Sequence, residues 1–333
     1  MHAADHFAQT KTFSFEFFPP KTPEGATKLF QHIQALEKLK PSFVSVTYGA
    51  GGTTRQLTLD LVLKLKRETT LAVIPHLTCV GHTEAEIYDL LEQYAHANIN
   101  NILCLGGDLP KHLADIGHDR KRDAFKFAKD LVTYVRDFSQ THGGKSIKDP
   151  RGFGIGVAGF PEGHPATPNR LLEIDHLKQK VDQGASFIIT QLFFDNRDFY
   201  DFRERCELAG ISVPIVAGVM PITSAKGMVR MADLAAGARF PAPLLRAIDR
   251  ACAAHESPDA PDAKQAVRRV GTHWATEQCR DLIDNDVAGI HFYTLNHSTA
   301  TEEIYKTLGV NDSLALAHTP TIGAGASGTL LRR

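Results

Sequence analysis

Several things are scarce in this sequence, and each scarcity argues against a class of function. There is no excess of one charge: 37 Lys plus Arg stand against 38 Asp plus Glu, a formal net charge of -1. Such a chain has no long-range field to gather a phosphate backbone, so a nucleic-acid partner is not expected. The densest basic run, His118 to Lys129, also holds Asp119 and Asp123 and reads as a solvated helix face. The five cysteines, at 79, 104, 206, 252 and 279, are dispersed and form no Cys-x-x-Cys pair, which describes reduced, buried thiols rather than a disulfide framework. No apolar run approaches the roughly 20 residues of a membrane span. The opening MHAADHFAQTKTF lacks the apolar core of a secretory signal, so the expected compartment is the cytoplasm. His76 has no second His or Cys at ligand spacing, and no metal is expected.

What the sequence does have is repetition of pattern. Eight strand-length apolar runs recur: Thr12 to Phe18, Phe43 to Tyr48, Ala72 to Cys79, Asn101 to Gly106, Gly152 to Phe160, Phe187 to Phe194, Pro214 to Met220 and Gly289 to Leu295. Helical spacing lies between them, over Gly25 to Leu39, Gln56 to Glu68, Thr83 to Ala97, Lys121 to Ser139, Asn169 to Gln183 and Asp198 to Ala209. Parallel strands joined by helical crossovers end as an open sheet or close as a barrel, and eight units favour closure, an α/β (β/α)8 TIM barrel. The 68 residues from 221 to 288 are too many for one crossover and predict extra helices before the last strand, over Met228 to Ala236, Pro243 to His255 and Ala263 to Asn285, hinged at Ser257 to Pro261. Residues 1–310 read as a single catalytic domain, and 311–333, rich in Ala, Gly, Thr and Ser, as a flexible tail.

In such a barrel the chemistry belongs to the C-terminal ends of the strands, so polar residues there are the candidates. Strand one, Thr12-Phe-Ser-Phe-Glu-Phe-Phe-Pro-Pro20, alternates with period two. If Phe13, Phe15 and Phe17 face the helices, Glu16 points into the barrel mouth. A carboxyl amid aromatic rings is poorly solvated and is expected to hold its proton near neutral pH, the profile of a general acid; the other reading is a Glu paired with a core Lys or Arg. The second strand runs into Thr47-Tyr48-Gly-Ala-Gly-Gly52, the third carries His76 and the fourth runs into Gly106-Gly107-Asp108. Glycines there let main-chain amides approach a ligand, and they also serve ordinary turns. His76 by itself reads more readily as a hydrogen-bonded core histidine. Gln191 and Tyr293 suit a flat, hydrogen-bonding heterocycle, or internal hydrogen bonds.

Gly154-Ile-Gly-Val-Ala-Gly159 matches the dinucleotide fingerprint G-x-G-x-x-G letter for letter. That fingerprint must follow a strand and open a helix. Here the glycines lie inside an apolar strand-like run that leads into Phe160-Pro-Glu-Gly-His-Pro165, and the Rossmann reading is rejected.

Taken together, Phe13-Ser-Phe-Glu-Phe-Phe-Pro-Pro20, Phe43-Val-Ser-Val-Thr-Tyr-Gly-Ala50, Pro75-His-Leu-Thr78, Gly107-Asp-Leu-Pro110, Phe160-Pro-Glu-Gly-His-Pro165, Thr190-Gln191 and His291-Phe-Tyr-Thr-Leu-Asn296 resemble the bacterial 5,10-methylenetetrahydrofolate reductases, in matching order from about residue 12 to 310. The resemblance implies a barrel that holds FAD without a covalent bond and uses NADH or NADPH to make 5-methyltetrahydrofolate in a ping-pong cycle. It implies the general acid at Glu16, a fixed negative charge at Asp108 beside the flavin and pterin, and folate and nicotinamide contacts in turn at Gln191. Thr47 falls at a nicotinamide contact. Flavin contacts are implied at Tyr48, His76, Gly106, Gly107, Asp108, Ala128, Phe160, His164, Glu173, His176 and Lys180, and folate contacts at Tyr293, Leu295 and His297.

The sequence departs from the family pattern at Gly106 and Gln179, where arginine is frequent, at His176 for asparagine, at His297 for arginine and at Met231 for an aromatic residue. Those departures motivate a second enzyme reading, a flavin-free pterin-binding barrel that transfers hydride or a one-carbon unit directly. A catalytically silent binding protein is the remaining class, and retention of Glu16, Asp108 and Gln191 argues against it. No basic cluster marks a 2′-phosphate site, which favours NADH. The resemblance further implies a homo-oligomer, and no feedback control of the kind exerted by the C-terminal regulatory domain of eukaryotic members.

Overall fold

The computed structural model describes residues 2–48, 55–107, 123–235 and 237–317. Its strands are β1 (Thr12–Phe17), β2 (Phe43–Val46), β3 (Val73–Thr78), β4 (Asn101–Leu105), β5 (Gly154–Gly159), β6 (Phe187–Thr190), β7 (Ile215–Val219) and β8 (Gly289–Tyr293). All pair in parallel in sequence order, and β8 returns to β1, with Phe15 beside Phe292 and Glu16 beside Tyr293, to close an eight-stranded barrel. The described helices are α1 (Ala3–Phe7), α2 (Pro23–Glu37), α3 (Arg55–Glu68), α4 (Glu84–His96), α5 (Ala128–His142), α6 (Arg170–Asp182), α7 (Asn196–Leu208), α8 (Ala225–Leu234), α9 (Ala242–Ala253), α10 (Pro261–Asp284), α11 (Thr299–Thr307) and α12 (Ser313–Ala317). Helices α8 to α10 form the expected insertion before the last strand.

Local chemistry sets many of these boundaries. Thr22 accepts the Gly25 N–H at 3.1 Å and is followed by Pro23, so α2 starts there. Thr83 and Glu86 form a reciprocal capping box on α4, and Asn169 and Asp195 cap α6 and α7. Helix α5 begins at Ala128, later than the basic run suggested. Residues 108–122 and 318–333, with Asp108 and most of the tail, lie outside the described residues, as do residues 49–54. Past residue 311 the chain continues into α12, whose Leu316 is buried and whose Ser313 bonds the Tyr305 hydroxyl at 2.8 Å.

Period-two alternation sorts every strand into two faces. Phe13, Phe15 and Phe17, with Val44, Val46, Ile102, Val157, Ile188, Val219 and Phe292, pack outward beneath the helices. The inward face holds Phe43, Ile74, Leu103, Phe187, Ile189 and Val216 as a separate apolar cluster. Helix α1 joins that cluster: its Phe7 ring meets Phe187 at 5.5 Å and Phe43 at 6.4 Å, and the Ala3 N–H donates to Asn101 Oδ1 at 2.8 Å. No apolar periodicity in the first ten residues announces this N-terminal helix.

The glycines of the false fingerprint do belong to a strand, β5. A Cβ on Gly156 would stand 2.4 Å from the Phe187 ring and 2.7 Å from Leu103 Cδ1, so its bareness makes room for the core. It serves packing, not a phosphate.

Candidate active site

The inward face changes character along the barrel axis. Beyond the apolar cluster comes a buried polar layer around His291, whose Nδ1 lies 2.8 Å from Ser14 Oγ and whose Nε2 lies 3.2 Å from Ser45 Oγ. Next along the strands stands Glu16, its Oε2 at 3.8 Å from His291 Nε2 and 3.5 Å from His76 Nε2. The carboxyl is 18% exposed, and its neighbours differ from those expected: the alternation that turns Glu16 inward sends the phenylalanines of its own strand outward, so two histidines, with Tyr293 on the neighbouring strand, frame it in their place. Burial pushes the His76 imidazole down to about 4 against the opposing influence of Glu16, so the ring is neutral at physiological pH.

Two clasps fix the end of β1. The Thr294 hydroxyl donates to the Glu16 carbonyl at 2.6 Å, and Asn296 bonds Phe18 through both its amide atoms, at 2.9 and 2.8 Å. Leu295 and Asn296 take left-handed backbone angles, φ 49° and 60°, to make that turn. Tyr293 donates its hydroxyl proton to the Thr190 carbonyl at 2.8 Å, and its burial raises the phenol above its ordinary value. Gln191 follows β6 directly, with its main-chain N–H on the Gly159 carbonyl at 2.8 Å and its side-chain carbonyl accepting Leu192 N–H at 2.9 Å.

These groups open onto a cavity of about 860 Å³ at the C-terminal ends of the strands. Glu16, Thr47, Tyr48, His76, Gly106 and Gly107 line it from the first four units. Ala128 at the start of α5 adds to the fourth unit, Phe160, His164, Glu173, His176 and Lys180 line it from the fifth, and Gln191, Tyr293 and Leu295 complete it. Two of the departures from the family pattern, Gln179 and Met231, are there as well. His297 is not among the lining residues; past the left-handed turn its exposed ring packs edge-on against His32 at 5.4 Å.

The donor set suits a large cofactor with hydroxyl and phosphate groups. Glu173, His176, Leu177 and Lys180 share one face of α6 at helical spacing. Lys180 Nζ donates to the Ala158 carbonyl at 2.8 Å, and burial lowers its ammonium to about 8. Glu173 is raised by burial, and among the described residues its Oε1 is a buried acceptor without a hydrogen-bond partner, as the Tyr48 hydroxyl is a buried polar group without one. Ligand hydroxyls would satisfy both. Gly107 takes φ +77°, and a Cβ there would stand 2.9 Å from Thr78 Cβ; at Gly106 a Cβ would meet nothing within 4 Å.

Sequence reasoning missed part of the wall. Lys126, Phe127 and Lys129 line the cavity, although the run they end had read as a solvated face; their spacing across the start of α5 was the available signal. Thr78, Ile189, Leu192 and Met220 also contribute, and as ordinary strand residues they carried none.

Comparison with known proteins agrees on the kind of chain this is. The family model described as methylenetetrahydrofolate reductase matches residues 2–309. The 5,10-methylenetetrahydrofolate reductase of Escherichia coli is 35% identical over 301 residues, covering 90% of this chain and 92% of that one. Methylenetetrahydrofolate reductase (NADH) 1 of Arabidopsis thaliana is 36% identical over 312 residues, 90% of this chain but 48% of the plant protein, so the chain spans about half the length of such relatives. A Clostridium thermocellum protein described as binding two copies of 5-methyl-5,6,7,8-tetrahydrofolic acid shares the fold, with a TM-score of 0.59 at 15% identity over 92% of this chain and 94% of that one.

Proposed function

From the premise that the chain belongs to the methylenetetrahydrofolate reductase family, we propose that it reduces 5,10-methylenetetrahydrofolate to 5-methyltetrahydrofolate, with NADH as reductant and FAD as a non-covalent carrier. One observation carries the reading: the Glu16 carboxyl opens onto the same cavity as Gln191 and Tyr293, beside a neutral histidine. Relatives whose names specify NADH support the choice of nicotinamide.

The chemical difficulty is the substrate's methylene bridge, a poor hydride acceptor until N10 is protonated and the ring opens to an N5 iminium cation. Glu16 delivers that proton. His76 is uncharged, so no fixed positive charge on it repels the cation that forms. Tyr293, anchored through its hydroxyl on Thr190, offers a ring edge and face to a flat pterin, while Gln191 supplies its side-chain amide. Asp108 carries the fixed negative charge in this proposal. Glu173, His176, Lys180 and Tyr48 hold the flavin. When bound, the flavin would supply the hydride that the nicotinamide provides and the folate carbon accepts. Both substrates use one cavity in turn, hence a ping-pong order.

Glu16→Gln tests the assignment, because it preserves shape and removes the proton. Folate reduction falls by about 10²–10⁴, while anaerobic bleaching of the flavin by NADH stays within about threefold, since that half-reaction needs no general acid. Equal loss of both half-reactions overturns the role of Glu16. A purified protein that takes up no flavin on incubation with FAD overturns the flavin itself, and direct transfer becomes the leading reading.

A further inference from the structure

Helices α5 and α6 bring three amines to one stretch of the cavity wall: Lys126 immediately before α5, Lys129 in its first turn and Lys180 near the end of α6. Lys180 gives one of its three donors to the Ala158 carbonyl. Lys129 Nζ instead donates to Gln179 Oε1 at 2.8 Å, and both residues line the cavity. The identity of that acceptor matters. An amide carbonyl holds an ammonium in place without cancelling its charge, whereas an arginine at position 179 would repel it. Phe127, 53% exposed at the cavity edge, has the Lys126 ammonium 5.3 Å and the Lys129 ammonium 6.0 Å from its ring centre, which keeps both charges near the wall. Among the described residues neither Lys126 nor Lys129 is paired with a carboxylate. Two uncancelled cations facing a cavity are a site for an anion.

We propose that Lys129, positioned by Gln179 and assisted by Lys126, binds the diphosphate of the flavin dinucleotide. The charge that arginines at positions 106 and 179 would bring is supplied in this chain from the start of α5. This rests on the flavin reading above and adds to it a phosphate-binding pair at the start of α5. An ammonium contributes a compact point charge with three donors, which suits a diphosphate whose oxygens can be met one at a time.

The test separates the diphosphate from the rest of the flavin. The full-length protein, its Lys129→Gln and Lys126→Gln/Lys129→Gln variants and a Lys129→Arg control are titrated with FAD and with riboflavin, which lacks phosphate, following flavin fluorescence. NAD⁺ binding is measured in parallel by equilibrium dialysis. The expected result is FAD affinity at least about tenfold weaker in Lys129→Gln and weaker again in the double variant, unchanged riboflavin affinity, and retention within about threefold in Lys129→Arg. FAD affinity within twofold of the parent in the double variant overturns the proposal and leaves the flavin reading standing. Weakened NAD⁺ binding with unchanged FAD binding also overturns it, and assigns the lysines to the nicotinamide dinucleotide. A parent protein that binds neither FAD nor riboflavin overturns both readings.

Discussion

Replacing His291 with leucine probes the polar layer that separates the barrel's apolar floor from its cavity. The imidazole is fully buried and meets Ser14 Oγ at 2.8 Å and Ser45 Oγ at 3.2 Å. Leucine has nearly the same volume, so packing changes little, and the loss falls on the two hydroxyls. Ser14 retains a long bond of 3.4 Å to the Ile290 carbonyl, while Ser45 is left without its histidine. An unsatisfied buried polar group costs about 1–3 kcal/mol, so one full and one partial loss give about 3 kcal/mol. With an unfolding entropy of about 2.1 cal/mol/K per residue, that lowers Tm by about 4 °C in a chain of this length. Calorimetry reads the shift. The reasoning has a sharper check in the triple variant Ser14→Ala/Ser45→Ala/His291→Leu, which removes the orphaned hydroxyls along with their partner and recovers at least half of the lost stability. If the triple variant is no more stable than His291→Leu alone, unsatisfied hydroxyls are not the cause and the polar layer has been misread.

Two further outcomes follow from burial. His76 and His82 are both pushed down from 6.5 to about 4 by desolvation; the unfolded chain therefore binds more protons between those values, and stability is full above pH 6.5 and is lost as pH falls toward 4. His82→Phe flattens that acid limb in denaturant midpoints taken from pH 7 to 4.5, and an unchanged slope refutes the assignment. Gly156→Ala places a methyl 2.4 Å from the Phe187 ring, so the urea midpoint drops by the equivalent of about 1–3 kcal/mol at constant m; a neutral substitution shows that the ring can yield.

All eight strands were legible because each one is buried on both faces and announces itself as an apolar run. Glu16 was legible too, since alternation with three phenylalanines fixes its direction. Its surroundings were not: His76 and His291 reach it from β3 and β8, across a closure that no local pattern encodes. Helix α1 escaped notice because a five-residue helix has too few turns to show periodicity, and its burial under the barrel depends wholly on tertiary contacts. Lys126 and Lys129 were misjudged for a related reason. A lysine beside a cavity and a lysine beside solvent look alike in sequence, and only the bond from Lys129 to Gln179, 50 positions away, tells them apart.

Helix α6 buries few of its apolar side chains fully. Ile174 and Leu177 are its buried side chains, while Glu173, His176 and Lys180 turn to the cavity. Whatever fills that cavity therefore completes the helix's packing, and the local opening energy of this segment depends on occupancy. An empty molecule would exchange its α6 amides quickly and offer proteases an entry there, while a filled one would not. The abundance of the protein in a cell would then follow the supply of whatever ligand fills the cavity.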